Sequence, residues 1–169
     1  MPTESQPPDP HKVGPDLLPT PFSAEEIRLG CPAGRTIRLR VESAGGPDVI
    51  RTSWYVRVDR DGAEIEHTTY TANGEHLGEP RSAWSTWRQL QEHAAFPAAV
   101  TTVTEDELTL PLGLLPCRLY TMTDGTTVHR FWFSDAHPGM PVRYSTEESG
   151  TVVSRVTMEA DDLPDLHRP

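Results

Sequence analysis

Two cysteines and seven histidines are the side chains in this sequence that could supply a thiolate, an imidazole base or a soft metal ligand. Cys117 with His129 or His67 has the composition of a thiolate–imidazole pair for nucleophilic catalysis. The same three residues have the ligand types for zinc. Cys31 and Cys117 fit no zinc spacing and no Cys-x-x-Cys redox motif. A free cysteine is commonly a small buried hydrophobe, and a histidine on an apolar strand face is commonly bonded to its neighbours. Phosphate loops, nucleophile elbows and His-Glu-x-x-His are missing from the sequence. Neither a metal nor a cofactor is expected.

These residues sit in a chain whose dominant pattern is alternation with a period of two, the signature of strands. In "TIRLRVE", Ile37, Leu39 and Val41 alternate with Arg38 and Arg40. In "VIRTSWYVRVD", Ile50, Thr52, Trp54, Val56 and Val58 alternate with Arg51, Ser53, Tyr55 and Arg57. "AEIEHTTY" places Ile65 and His67 opposite Glu64 and Glu66, and "NGEHLGEPRS" reads as loop. Further strands are expected at Val100–Thr104, Glu107–Leu110, Leu114–Thr123, Thr126–Phe133, Val142–Thr146 and Thr151–Met158. "DRDG", "TED" and "TDGT" read as tight turns between them. Short turns between successive strands require antiparallel pairing.

Two helices interrupt the pattern. "PFSAEEIRLGC" has Ser23 as N-cap, Glu26 three residues later, and Phe22 and Ile27 at staple positions. Its Leu-Gly-Cys ending imitates a lipoprotein signal, but Glu25 and Glu26 stand where such a signal needs an apolar core. Cys31 is therefore expected to close a helix, and the compartment to be the cytoplasm. "STWRQLQEHAAF" is the second helix, with Thr86 and Gln89 as a capping box and Trp87, Leu90 and Ala94 as its apolar stripe. The Pro-rich residues 1–20 and the tail 161–169 are expected to be disordered, flanking one domain at 21–160.

Summed over strands, Ile37, Leu39, Val41, Ile50, Trp54, Val56, Val58, Ile65, Leu115, Leu119, Phe131, Phe133, Val142, Tyr144, Val156 and Met158 share one face. Most strand arginines fall on the other. The fold class is α+β: a large curved antiparallel sheet of about seven to nine strands, its apolar face covered by two short helices. The arginine face is either cross-strand Arg–Glu pairing on solvent or a site for an anion. A net charge of −10 excludes a nucleic-acid partner and disfavours an anionic membrane surface. No apolar run is long enough for a transmembrane segment. Lys12 is the only lysine among 15 basic residues, a bias of GC-rich coding such as that of actinobacteria.

From Pro111 onward the chain reads "PLGLLPCRLYTMTDGTTVHRFWFSDAHPGMPVRYSTEESGTVVSRVTM". A "PLG" entry, a Tyr strand, a hairpin, the aromatic "FWF" strand, Pro-Gly-x-Pro-Val and a terminal hairpin follow in order. This resembles the C-terminal half of bacterial proteins with the lipoprotein-localisation-factor (LolA-like) fold. The resemblance implies an open half-barrel whose hydrophobic concave face, lidded by helices, holds an acyl chain or another apolar guest. It carries over no catalytic residue. By alternation the dry face also holds Thr52, His67, Cys117, His129 and Ser154. The expected ligand site comprises Trp54, His67, Cys117, His129, Phe131, Phe133 and Tyr144; the loop "DAHPGMP" at 135–141 is read as turning the chain and protecting a strand end, with His137 at a pocket mouth as its alternative role. The expected function is non-catalytic binding of an apolar small molecule or acyl chain. The alternatives are a small cyclase, isomerase or thiol hydrolase on the same scaffold, and a protein-interaction domain. Oligomeric state is left open.

Overall fold

The computed structural model describes residues 5–165. Its core is one antiparallel sheet of nine strands. They are β1 (Thr36–Ser43), β2 (Val49–Val58), β3 (Gly62–Thr71), β4 (Arg81–Thr86), β5 (Thr101–Leu110), β6 (Gly113–Asp124), β7 (Thr127–Phe133), β8 (Arg143–Glu148) and β9 (Thr151–Asp162). The helices are α1 (Ala24–Gly30) and α2 (Trp87–Glu92). Strand order is β4-β3-β2-β1-β9-β8-β7-β6-β5. The sheet is thus two meanders joined where β9 returns to lie beside β1. The α+β class, the sheet and the two helices are as the sequence predicts.

Two stretches differ from the prediction. Residues 104–106 do not turn; β5 runs unbroken past them. β4 begins at Arg81, inside the expected loop. Both strands are largely exposed. With no face to bury, they need no apolar alternation, and alternation is what sequence reading detects.

The helix caps form as predicted. The Ser23 hydroxyl accepts from Glu26 N, and Thr86 and Gln89 form a reciprocal capping box. Phe22 and Ile27 are both buried, and Cys31 caps α1. The segment expected to be disordered is bonded to the domain from Pro10 to Thr20. Leu18 N donates to Phe96 O, Ala98 N donates to Asp16 O, and His11 pairs with Glu26 at 2.8 Å. At the other end, β9 runs to Asp162. The disorder expected of residues 1–4 and 166–169 lies outside the described residues.

The inward face of β2 is corrected. Ile37 lies opposite Ser53, and Ser53 opposite His67, so Ser53, Tyr55 and Arg51 point to the concave side. Thr52 and Trp54 point outward, and Trp54 is 44% exposed. A bulge between Tyr55 and Arg57 then restores the expected phase, and Val58 opposite Ala63 packs inward. Ile50 is buried, but on the outer side, where Tyr70 lies opposite it. The cause is local tethering. Tyr55 N donates to Arg35 O, and Gly34 N donates to Tyr55 O, which turns the tyrosine ring into the core.

Four arginines of the outer face settle on carboxylates. A bulge at Glu159 places this carboxylate between Arg38 and Arg40, while Arg57 reaches Glu64 and Arg130 reaches Glu147. Exposed pairs of this kind contribute at most about 1 kcal/mol each.

One ion pair is different in kind. Arg35 is fully buried and grips Asp161 through two bonds, Nε to Oδ1 at 2.8 Å and Nη2 to Oδ2 at 2.7 Å. Its Nη1 donates to Pro138 O at 2.6 Å, Gly30 O at 3.1 Å and Cys31 Sγ at 3.0 Å. His137 Nδ1 meets the same Asp161 at 2.7 Å. Burial alone would raise the Asp161 pKa; the bonds from Arg35 and His137 outweigh it and hold the carboxyl below its ordinary range. A carboxylate with a depressed pKa stabilises the fold above its unfolded pKa, about 3.9. That stabilisation disappears as pH falls through the folded pKa. Asp161→Asn is expected to cost about 3–5 kcal/mol at pH 7, because it leaves a buried guanidinium uncompensated. Arg35→Met with Asp161→Leu should cost less than the sum of the single changes. Denaturant melts of the four proteins at pH 7, pH 4 and pH 2.5 check both statements: the Asp161→Asn deficit should persist at pH 4 and shrink only as pH falls below the unfolded carboxyl pKa toward the lower folded one.

Candidate functional site

The chain must pass from β4 at one sheet edge to β5 at the other, and it does so through α2 and residues 93–100. This crossing segment covers the concave face. Trp87 anchors its start, the indole N–H donating to Asp59 O at 2.9 Å. Gln91 holds its middle. The buried amide accepts from Ala24 N at 3.1 Å and donates to Pro10 O and Thr20 Oγ1 at 2.8 and 3.0 Å. Phe96 ends it, packing on Phe131, Tyr120 and Phe133 with ring centroids 4.8, 5.3 and 6.4 Å away.

Beside this aromatic plug a cleft of about 260 Å³ remains. Its floor is Phe131, Phe133 and Tyr144. One wall is the α2 side with Leu90, His93 and Ala94; the other is Gly139, Met140 and Pro141. The second wall is positioned by the buried ion pair. Arg35 fixes Pro138 O, Asp161 fixes His137, and a Cβ on Gly30 would collide with the Pro138 ring. Among the predicted site residues, the structure brings together Phe131, Phe133 and Tyr144.

The remaining four predicted site residues are elsewhere. Trp54 is on the outer face, as described above. His67 is on β3, its Nδ1 2.9 Å from Ser53 Oγ. Burial, and then Arg51, push its pKa down. His129 faces the concave side opposite Met122, its Nδ1 3.2 Å from Thr146 Oγ1. Cys117 lies opposite Asp106, on the face of β6 turned away from Tyr120 and Met122. The expected alternation in β6 fails here, since Leu115 and Cys117 are buried on one face and Tyr120 on the other. Leu119 is correspondingly not part of the concave floor. The thiol and the two imidazoles do not converge. No cluster of three or more His, Cys, Asp or Glu among the described residues could hold a metal ion.

Both cysteines are unpaired and buried. Burial raises the Cys31 pKa, and the nearby Arg35 only partly offsets it. Cys117 is also raised, by burial and then by Asp106. His137, for which a pocket mouth is the alternative role, is engaged with Asp161. Sequence reading missed Arg35, Gln91 and Asp161. No motif marks them; their signal is a polar residue with its partner far away in the chain.

No family model matches the chain, and no curated protein matches it. Solved structures do. A Bacteroides fragilis protein with a YmcC-like fold aligns with a TM-score of 0.50 at 10% identity, covering 79% of this chain and 97% of that one. Pseudomonas aeruginosa MucB, solved with MucA, aligns with a TM-score of 0.54 at 14% identity over 82% of this chain and 53% of that one. A further complex of MucB, with MucA(peri), gives 0.55 at 14% identity over 85% and 54%. The chain spans about half the length of MucB. These are proteins of the LolA-like fold, so the resemblance seen in the sequence holds for the architecture of the sheet. At these identities the likeness is one of fold alone.

The buried, protonated thiols lead to a direct expectation. At pH 8 both should react with a disulfide reagent such as dithionitrobenzoate far more slowly in the native protein than after unfolding in guanidinium. A fast native thiol would contradict the packing around Cys31 or Cys117.

Proposed function

We propose that this chain is a non-catalytic binding domain whose occupant is an acyl chain or another small apolar group, seated in the cleft between α2 and the concave face. The observation that carries the reading is the cleft itself. It is floored by three aromatic residues, and its walls are aliphatic apart from His93. Apolar lining with few polar groups is the usual form of a small-molecule site. At about 260 Å³ it falls just below the usual range of such sites, about 300–1,000 Å³, which suits a single short chain. Its two walls belong to separately anchored segments, so a longer guest would be admitted by displacing Phe96 or Met140. The LolA-like architecture supports the same reading.

A second reading is supported by MucB having been solved with MucA: the occupant is a protein partner presenting an apolar side chain to the cleft.

Native mass spectrometry of the purified protein, with organic extraction and identification of any guest, tests the first reading. Titration with a fluorescent fatty acid gives the quantitative form. Ala94→Trp, which fills the cleft from the α2 side, should weaken binding by about tenfold or more while the circular dichroism spectrum is retained. If no guest is found and the probe binds equally to both proteins, the apolar-ligand reading fails.

A further inference from the structure

β5 is the outermost strand on its side of the sheet. It pairs with β6 from Thr101 opposite Met122 to Leu110 opposite Gly113, with no register shift. β6 therefore takes one row of its backbone N–H and C=O groups, and the other row faces outward, where the Glu107 N–H donates to Asp106 Oδ1 at 2.8 Å and would have to be released to an added strand. Edge strands are ordinarily blunted by being short, by proline or a bulge, or by charged side chains, lysine above all. β5 is ten residues long, has no proline and no bulge, and is guarded by negative charge alone. Every residue from Thr102 to Glu107 is exposed. The opposite edge, β4, has only six residues and runs directly into α2.

What β5 carries instead is the run Glu105, Asp106, Glu107. Two copies of β5 paired antiparallel about this run would set carboxylates against carboxylates, which opposes self-association. A strand of opposite charge would be drawn to it. Beside the run opens a cleft of about 690 Å³, floored in part by Pro116 and Phe133 and bordered by Asp135. The one cation in its lining, Arg118, is bonded to Asp135 at 2.5 Å. Asp106 is held in place by the Trp132 indole N–H at 2.8 Å. The cleft thus offers an apolar floor for a long aliphatic stem and fixed carboxylates for its head.

We infer that β5 is a docking edge for an extended, basic segment of a partner protein, which joins the sheet as an additional strand and places a lysine or arginine in the adjoining acidic cleft. Strand addition supplies affinity through the main chain and specificity through alternate side chains. The inference is independent of the apolar cleft under α2.

The probe is a labelled, blocked peptide of alternating lysine and valine, titrated with the full chain and followed by fluorescence anisotropy. Saturable binding is expected. Glu105→Lys with Glu107→Lys should weaken it by about tenfold or more, whereas Glu75→Lys with Glu79→Lys, the same charge change between β3 and β4, should alter it by less than about twofold. A peptide N-methylated at alternate residues, which keeps its charge but loses strand hydrogen bonds, should also bind about tenfold or more weakly. Ala94→Trp should bind the peptide normally, which separates this edge from the apolar cleft. Equal losses from the two lysine pairs would reduce the effect to diffuse charge. Undiminished binding of the N-methylated peptide, or no binding at all, would overturn the docking edge.

Discussion

The crossing from β4 to β5 is the constraint that the rest of the structure obeys. Nine strands about 4.8 Å apart would make a flat sheet about 38 Å wide. The connection has one short helix, about 9 Å long, and a remainder that reaches about 28 Å at full stretch. Part of that remainder is a 3-10 turn at Ala98–Val100, so full stretch is not attained. The sheet has to curl until its edges come within reach. Once it curls, the connection lies across the hollow and supplies the lid. Strand twist already bends a sheet of this width, and the linkage holds its edges within reach and lays the covering helix across the hollow.

The same linkage explains how the concave face is divided. Where the crossing segment lies directly on the sheet, Phe96 fills the space with three aromatic neighbours. Where α2 faces residues 139–141 the two elements come from different parts of the chain, and an apolar gap stays between them. Each side of the gap has its own polar anchor: Gln91 for α2, and the Arg35–Asp161 pair for the loop. Fully buried polar groups therefore hold the walls, while the gap itself is lined by carbon apart from His93.

The fold was legible in the sequence because burial writes itself as alternation. β1, β3 and β9 show this plainly, with Ile37, Leu39, Ile65, Val156 and Met158 all buried. Legibility failed where a strand has nothing to bury, as in β4 and the acidic part of β5, and where a bulge or twist shifts the phase. In β2 the phase error moved Trp54 from the expected site to the surface. In β6 the buried face changes between Cys117 and Tyr120, so Cys117 could not be grouped with His129. The floor of the cleft was readable, since Phe131, Phe133 and Tyr144 lie on neighbouring strands within one continuous motif. The α2 wall was anticipated only as a covering helix. The anchors were not readable, because Arg35 and Asp161 find each other across the whole chain.

That last pairing has a consequence for how the domain is made. β1 has β2 beside it from the start, but its second neighbour is β9, the final strand. As the chain leaves the ribosome, the N-terminal meander emerges with one edge of β1 unfilled, and the Arg35 guanidinium has no counter-charge. Every intervening strand must be synthesised before either need can be met. Contacts of such long sequence separation slow folding, because loop closure comes before its reward. The native hollow thus closes only after translation has passed Asp161, and until then the nascent meander carries an open edge that a chaperone or a second chain could occupy.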